Sequence, residues 1–229
     1  SNDDPGVFSA TLDWSLRLVF LIAIPATLGL GLLAGPLVVT IFYGGQFTQF
    51  DVEMARASLW AFSGGLLAFI SIKVLAPGFF ARQDTRTPVK AALVALVVNL
   101  VGNGVFVSLF MYLGWTATHA GLALSTTLAA VVNAVLLWFG LRRDGVVSPR
   151  PGWRVFLLRL SLANATLVGL LLHFSPGLQC GLDATAISRV GQLVLLVAGG
   201  AAAYFAVLAL SGLRPHHLRL QVEAGSAHR

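Results

Sequence analysis

Of 229 residues, 57% are apolar and only 10% are charged, whereas a soluble domain carries roughly 25% charged residues. With a mean hydropathy of +0.84 the chain cannot cover a water-facing surface, which excludes a soluble catalytic domain and makes lipid the expected outer solvent. The net charge of +6 then points to membrane topology rather than to nucleic acid, because the basic residues cluster between apolar runs.

Six apolar runs follow in chain order, each near the roughly 20 residues that a helix needs to cross a bilayer core about 30 Å thick. The first, 18–42, has no charge and is interrupted by Pro25 and Pro36. The second, 57–81, contains one charge, Lys73. Runs 91–113 and 120–141 are charge-free, run 155–174 carries Arg159 near its start, and run 190–213 is again uncharged. Such continuous runs are unlike the alternating segments of a membrane β-barrel. The fold class expected is all-α: a polytopic transmembrane helical bundle of about six spans whose neighbours pack antiparallel. The opening Ser-Asn-Asp-Asp-Pro-Gly lacks the basic and apolar regions of a signal peptide, and a segment of a longer protein is expected. Cys180 is the single cysteine, so neither an intrachain disulfide nor a Cys-rich metal site is expected.

Six spans place both ends of the chain on one side of the membrane. Twelve of the 15 basic residues fall on that side: Arg17, Arg82, Arg86, Lys90, the five arginines from Arg142 to Arg159, and Arg214, Arg219 and Arg229. Arg56 and Arg189 fall on the other side, and Lys73 lies within the membrane. The positive-inside rule makes the arginine-rich side cytoplasmic. Trp14, Trp60, Trp115, Trp138 and Trp153, with Tyr43 and Tyr112, lie near span ends, as an interfacial aromatic belt requires. Thr87-Pro88 is a candidate start for the third span and Asp51 a candidate cap for the second.

Few residues offer chemistry. Lys73 is the one ionisable group deep in an apolar run, about 13 Å along the helix from Arg82 at 1.5 Å per residue. A charge at that depth costs roughly 2.5–3.5 kcal/mol and is a functional candidate by default, unless its stem snorkels to the headgroups. Pro77 removes the helical partner of the Lys73 carbonyl, as Pro25 does for Leu21 and Pro36 for Leu32, so kinks are expected. Asn99 and Asn103, one turn apart, face the same way, with Ser125, Thr126, Thr127 and Asn133 on the next span. Their oxygens suit a hard cation such as Na⁺, or simply hydrogen bonds between helices, the commoner use. Gly31 and Gly35 have the small-xxx-small spacing of close helix contact. Phosphate loops, zinc-protease pairs and nucleophile elbows are all missing. His216 and His217 lie in a basic tail, and Asp13, Asp51, Glu53 and Asp84 sit at span ends as caps.

The stretch from Asp13 to Lys90 carries a resemblance. It contains Asp13-Trp14-Ser15-Leu16-Arg17-Leu18, then Phe42-Tyr43-Gly44-Gly45-Gln46-Phe47-Thr48-Gln49-Phe50-Asp51. It also contains the block from Lys73 to Lys90, KVLAPGFFARQDTRTPVK. These motifs, with weaker ones at Pro151-Gly152-Trp153 and Ala202-Ala203-Tyr204-Phe205, resemble the C-terminal half of the MurJ (MviN) lipid II flippases. That family lies in the multidrug/oligosaccharidyl-lipid/polysaccharide exporter superfamily. The resemblance implies the last six helices of a fourteen-helix transporter. Residues 1–145 would be the last four helices of the second six-helix lobe, 146–215 two added helices lining a lipid groove, and 216–229 a cytoplasmic tail. It implies movement of undecaprenyl-pyrophosphate-linked lipid II to the outer leaflet of a bacterial inner membrane by alternating access, with no enzymatic activity. Lys73, Arg82, Arg86 and Lys90 are the expected substrate-binding residues, and Asn99 and Asn103 the expected cation-binding residues. No cofactor is expected beyond coupling to Na⁺ or the membrane potential. The expected partners are lipid II, membrane lipids and the earlier helices of the same protein, with no nucleic acid. The alternatives are a drug or polysaccharide exporter of the same superfamily, and a membrane scaffold for cell-wall synthesis that transports nothing.

Overall fold

A computed structural model describes residues 5–44, 46–145, 152–175 and 185–212. Cys180, Arg150, His216, His217 and the 216–229 tail lie outside the described residues. The described chain forms eight helices: α1 (Pro5–Leu32), α2 (Ala34–Phe42), α3 (Gln49–Ser63), α4 (Leu66–Phe80), α5 (Arg86–Tyr112), α6 (Thr118–Arg143), α7 (Trp153–Phe174) and α8 (Ala186–Leu210). Six stretches are long and apolar enough to cross a membrane: Phe8–Leu32, Gln49–Phe80, Arg86–Tyr112, Thr118–Arg143, Trp153–Phe174 and Ala186–Leu210. The last four agree with the sequence reading to within a few residues. The first two require correction.

The first span does not run from 18 to 42. Its helix starts at Pro5, passes through Pro25 without a break, and ends at Leu32. Pro36 sets that end, because it offers no N–H to Leu32. The chain turns at Leu33 (φ −91°, ψ 8°) and resumes as the short α2. Arg17 and Asp13 therefore lie inside α1 rather than before it.

The second span is two helices, and its break is not at Pro77, which α4 carries within its last turn. The break is at Gly64-Gly65. There the Gly65 N–H donates to the Phe62 carbonyl at 2.9 Å instead of to Ala61. Thr127 Oγ1 of α6 takes over the Ala61 carbonyl at 2.8 Å. A Cβ on Gly65 would stand 2.9 Å from Thr127 Oγ1 and 3.2 Å from its Cα, so glycine lets α6 approach this point. A side chain inserted into the helical ladder is a recognised cause of such breaks.

The caps are also reassigned. Thr48, not Asp51, is the N-cap of α3, and Asp51 completes a capping box by accepting from the Thr48 N–H at 2.8 Å. At α5 the Thr87 side chain caps nothing. Asp84 Oδ1 accepts the Arg86 and Thr87 N–H groups at 3.0 and 3.1 Å. Hydrogen bonds from the Thr87 side chain and backbone, then the Arg86 N–H and the Arg82 charge, hold the Asp84 carboxyl below the usual carboxylate range.

Two bodies of contact organise the bundle. α6 packs against α3, α4 and α5, while α1 packs against α3, α4 and α7, with α8 on α7 and α2. Gly31 allows the α1–α3 approach, since a Cβ there would stand 3.0 Å from Ser63 Oγ. The core is segmented. Phe79, Leu75, Leu137 and Leu141 join α4 to α6, while Leu21, Leu160, Ala163 and Tyr204 join α1 to α7 and α8. Most of α5 is open: Leu93, Leu96, Val97, Leu100 and Val101 are all more than half exposed, as lipid or further protein requires.

Candidate functional site

An apolar groove of about 400 Å³ runs between α1 and the α7–α8 pair. Pro25, Ala26 and Gly29 form one wall, Gly200, Ala201 and Phe205 the other, and Leu167 and Leu171 the floor. Small residues open the space, and aliphatic ones make it a place for hydrocarbon rather than for a charged group.

Three polar joints hold the α7–α8 pair around this groove, and the sequence reading identified none of them. In the first, Asp13 is only 7% exposed. Its Oδ1 accepts from Trp153 Nε1 at 2.7 Å, and its Oδ2 lies 2.9 Å from Arg17 Nε. The Arg17 guanidinium also stands 5.3 Å from the centre of the Trp153 ring. Asp13 is therefore a buried acceptor inside α1 rather than an end cap, and Trp153 is half-buried and hydrogen-bonded to it. In the second joint, Tyr204 Oη donates to the Leu21 carbonyl at 2.6 Å. That is the carbonyl Pro25 leaves without a helical partner. In the third, Arg189 Nη1 donates to the Tyr43 carbonyl at 3.2 Å, and its guanidinium lies 4.9 Å from the Tyr43 ring centre. Trp60 and Trp115 are 65% and 58% exposed, and Trp60 lies well inside the Gln49–Phe80 stretch rather than near its end.

The expected substrate-binding residues gather at one end of the bundle, apart from Lys73. Arg82 Nη1 is paired with Asp144 Oδ2 at 2.7 Å, both groups being more than a third exposed, which ties the α4–α5 turn to the end of α6. An exposed pair of this kind contributes at most about 1 kcal/mol. Arg86 and Lys90 are exposed on the first turns of α5. Lys73 is exposed too, and shares an open stripe of α4 with Pro77 and Phe80 at helical spacing.

The expected cation-binding residues sit in a polar seam between α5 and α6. Asn99 Nδ2 donates to Thr126 Oγ1 at 3.2 Å, Asn103 Nδ2 to Asn99 Oδ1 at 3.3 Å, and Ser125 Oγ to the Asn99 carbonyl at 2.6 Å. These bonds are the interhelical kind. Asn103 Oδ1 is buried without a hydrogen-bond partner among the described residues, as is Asn133 Oδ1 further along α6. Among the described residues no cluster of histidine, cysteine, aspartate or glutamate is arranged to hold a metal ion.

Comparison with known proteins places this arrangement. A sequence model of the family described as "Lipid II flippase MurJ" matches residues 1–181. A probable lipid II flippase MurJ of Vibrio cholerae is 40% identical over 222 residues, which cover 94% of this chain and 40% of that protein. A lipid II flippase MurJ of Burkholderia cenocepacia is 38% identical over 217 residues, covering 94% of this chain and 41% of the relative. A solved structure titled "Lipid II flippase MurJ, inward closed conformation" superposes with a TM-score of 0.70 at 19% identity, over 95% of this chain and 41% of the other, which establishes the shared helical fold. The chain thus spans about two fifths of the length of the curated relatives it matches. With a family model covering residues 1–181 and the six apolar stretches in a shared fold, the chain belongs to the lipid II flippase MurJ family.

Proposed function

We propose that this chain forms part of a transporter that moves undecaprenyl-pyrophosphate-linked lipid II from the inner to the outer leaflet of a bacterial inner membrane by alternating access. The observation that supports it most is the apolar groove between α1, α7 and α8, in a chain of this family. The groove takes the polyprenyl tail, while the sugar-pyrophosphate headgroup follows a polar route. Such a headgroup cannot cross hydrocarbon unaided, because its charges would be stripped of water.

Lys73, Arg86 and Lys90 draw the anionic headgroup towards the bundle, and Arg82 contributes where its pairing with Asp144 opens. Residues 1–145 complete a transporter lobe, and α7 and α8 are the added groove helices. If transport is coupled to Na⁺, Asn99, Asn103 and Thr126 supply side-chain oxygens, and the unpartnered Asn103 Oδ1 is the one free to turn to an ion. An acidic ligand would have to come from outside the described residues, and the membrane potential is the alternative source of drive. Earlier helices of the same protein supply the rest of the cavity.

The decisive experiment uses the protein as its gene encodes it. Depleting it should stop lipid II from reaching the outer leaflet. Continued arrival after depletion would favour a scaffold. Lys73→Met in the same protein should lower transport at least several-fold, and undiminished complementation would remove Lys73 from the mechanism. Orientation is tested separately. The charge bias supports a cytoplasmic position for the arginine-rich turn, so in a protein whose native cysteines, Cys180 included, are replaced by serine, a cysteine replacing Thr85 should be shielded from an impermeant thiol reagent in intact cells. Labelling from outside would reverse the orientation.

A further inference from the structure

Tyr204 and Leu21 both line the apolar groove, and both are buried, at 2% and 6% exposed. Pro25, in the same wall, has no N–H to give the Leu21 carbonyl, and the Tyr204 hydroxyl fills that vacancy from the opposite helix at 2.6 Å. A buried carbonyl without a donor in an apolar setting is costly unless it recruits water. Water recruited here would wet a wall that is otherwise aliphatic. Repacking cannot easily close the gap. One turn away, a Cβ on Gly200 would already stand 2.9 Å from Leu167 Cδ1, so α8 is seated tightly on α7.

We propose that the Tyr204 hydroxyl sets the selectivity of the groove: by capping the carbonyl that Pro25 releases, it keeps this wall dry and fit only for a hydrocarbon chain. Proline and tyrosine act as a pair. Proline removes one N–H from α1, and the tyrosine hydroxyl satisfies the carbonyl this leaves without a partner. The identity of the hydrocarbon rests on the polyprenyl reading given above, whereas the cap does not.

The test uses the protein as encoded, in vesicles of phosphatidylethanolamine and phosphatidylglycerol. Two readouts are taken from the parent, Tyr204→Phe, and Tyr204→Phe with Pro25→Ala. The first is the water signal of a nitroxide at Ala201, read by deuterium spin-echo modulation in D₂O. The second, on unlabelled protein, is photolabelling by a diazirine-bearing polyprenyl phosphate. Tyr204→Phe keeps the ring but loses the donor, so the water signal should rise several-fold and labelling should fall several-fold. Adding Pro25→Ala returns an N–H to the Leu21 carbonyl within α1, and both readouts should recover to within twofold of the parent. Loss of ring packing alone gives no such recovery. An unchanged water signal in Tyr204→Phe overturns the proposal, and so does a raised signal that Pro25→Ala leaves raised. If the water signals behave as expected but the parent is not labelled, the polyprenyl reading fails and the cap stands. Should Tyr204→Phe fail to fold, recovery of folded protein on adding Pro25→Ala supports the cap, and no recovery overturns it.

Discussion

Replacing Asp13 by alanine is expected to lower the unfolding free energy by about 3 kcal/mol, the lower end of what breaking a buried ion pair costs. The lower end applies because the Arg17 side chain keeps 24% of its exposure. Three things are lost together. Trp153 Nε1 loses its acceptor, the Arg17 charge loses the carboxylate 2.9 Å away, and α7 loses the contact that seats its first turn on α1. Conservative variants separate these contributions. Asp13→Asn keeps an oxygen for the indole but removes the charge, and should fall between parent and alanine. Trp153→Phe removes one hydrogen bond to a charged group, about 1.5–3 kcal/mol, and also the ring beneath the guanidinium. Because all three side chains share one network, the alanine and phenylalanine costs should not add. Unfolding in mixed detergent micelles, followed by tryptophan fluorescence, measures the series. An Asp13→Ala protein within about 0.5 kcal/mol of the parent, the range of an ordinary surface change, would mean that the pair does not hold α7.

That joint shows where reading the sequence stops. Span number and order were legible because a charge-free run of twenty or more residues has few other uses, and the last four spans emerged within a few residues of expectation. The first was misplaced because Asp13 and Arg17 looked like water-facing flanks. Their i,i+4 spacing inside a helix that starts at Pro5 was a signal for an ion pair, but only Trp153, 140 residues away, makes it a buried one. The Gly64-Gly65 break depends on Thr127 reaching the Ala61 carbonyl from α6, and no local pattern announces that. Pro25 was read correctly as freeing the Leu21 carbonyl. Its partner, Tyr204, lay in a motif noticed only for its resemblance. Of the site, Lys73 was legible as the one charge in an apolar run, and it stands exposed on an open stripe of α4. The apolar groove between α1, α7 and α8 has no local signal in the sequence, because aliphatic and small residues carry no chemistry until the fold sets them face to face.

The polar seam between α5 and α6 gives the second large effect. Gly102 lies against Ser125 so closely that a Cβ would stand 2.5 Å from Ser125 Oγ and 3.2 Å from its Cβ. Gly102→Ala must therefore push the helices apart or expel the serine from its 2.6 Å bond to the Asn99 carbonyl. Either response also strains the 3.2 Å contact between Asn99 and Thr126. Overpacking of this kind costs about 1–3 kcal/mol. By comparison, Ser125→Ala deletes only the hydroxyl, and a single interhelical hydrogen bond in a membrane is worth around 0.6 kcal/mol. The larger cost of the added methyl distinguishes a seam limited by shape from one limited by hydrogen bonding. A compensating change sharpens the test. With Ser125→Gly in the same chain, the nearest remaining atom is the residue 125 Cα, 3.6 Å from the new Cβ and in ordinary contact. The double variant should regain most of the stability lost by Gly102→Ala, despite having no serine hydroxyl. If Gly102→Ala costs no more than Ser125→Ala, or if Ser125→Gly recovers nothing, α5 and α6 are not held by close approach at this point. Asn99 and Asn103 would then sit on a seam loose enough to adapt to many partners, and a preformed place for an ion between these helices would lose its structural basis.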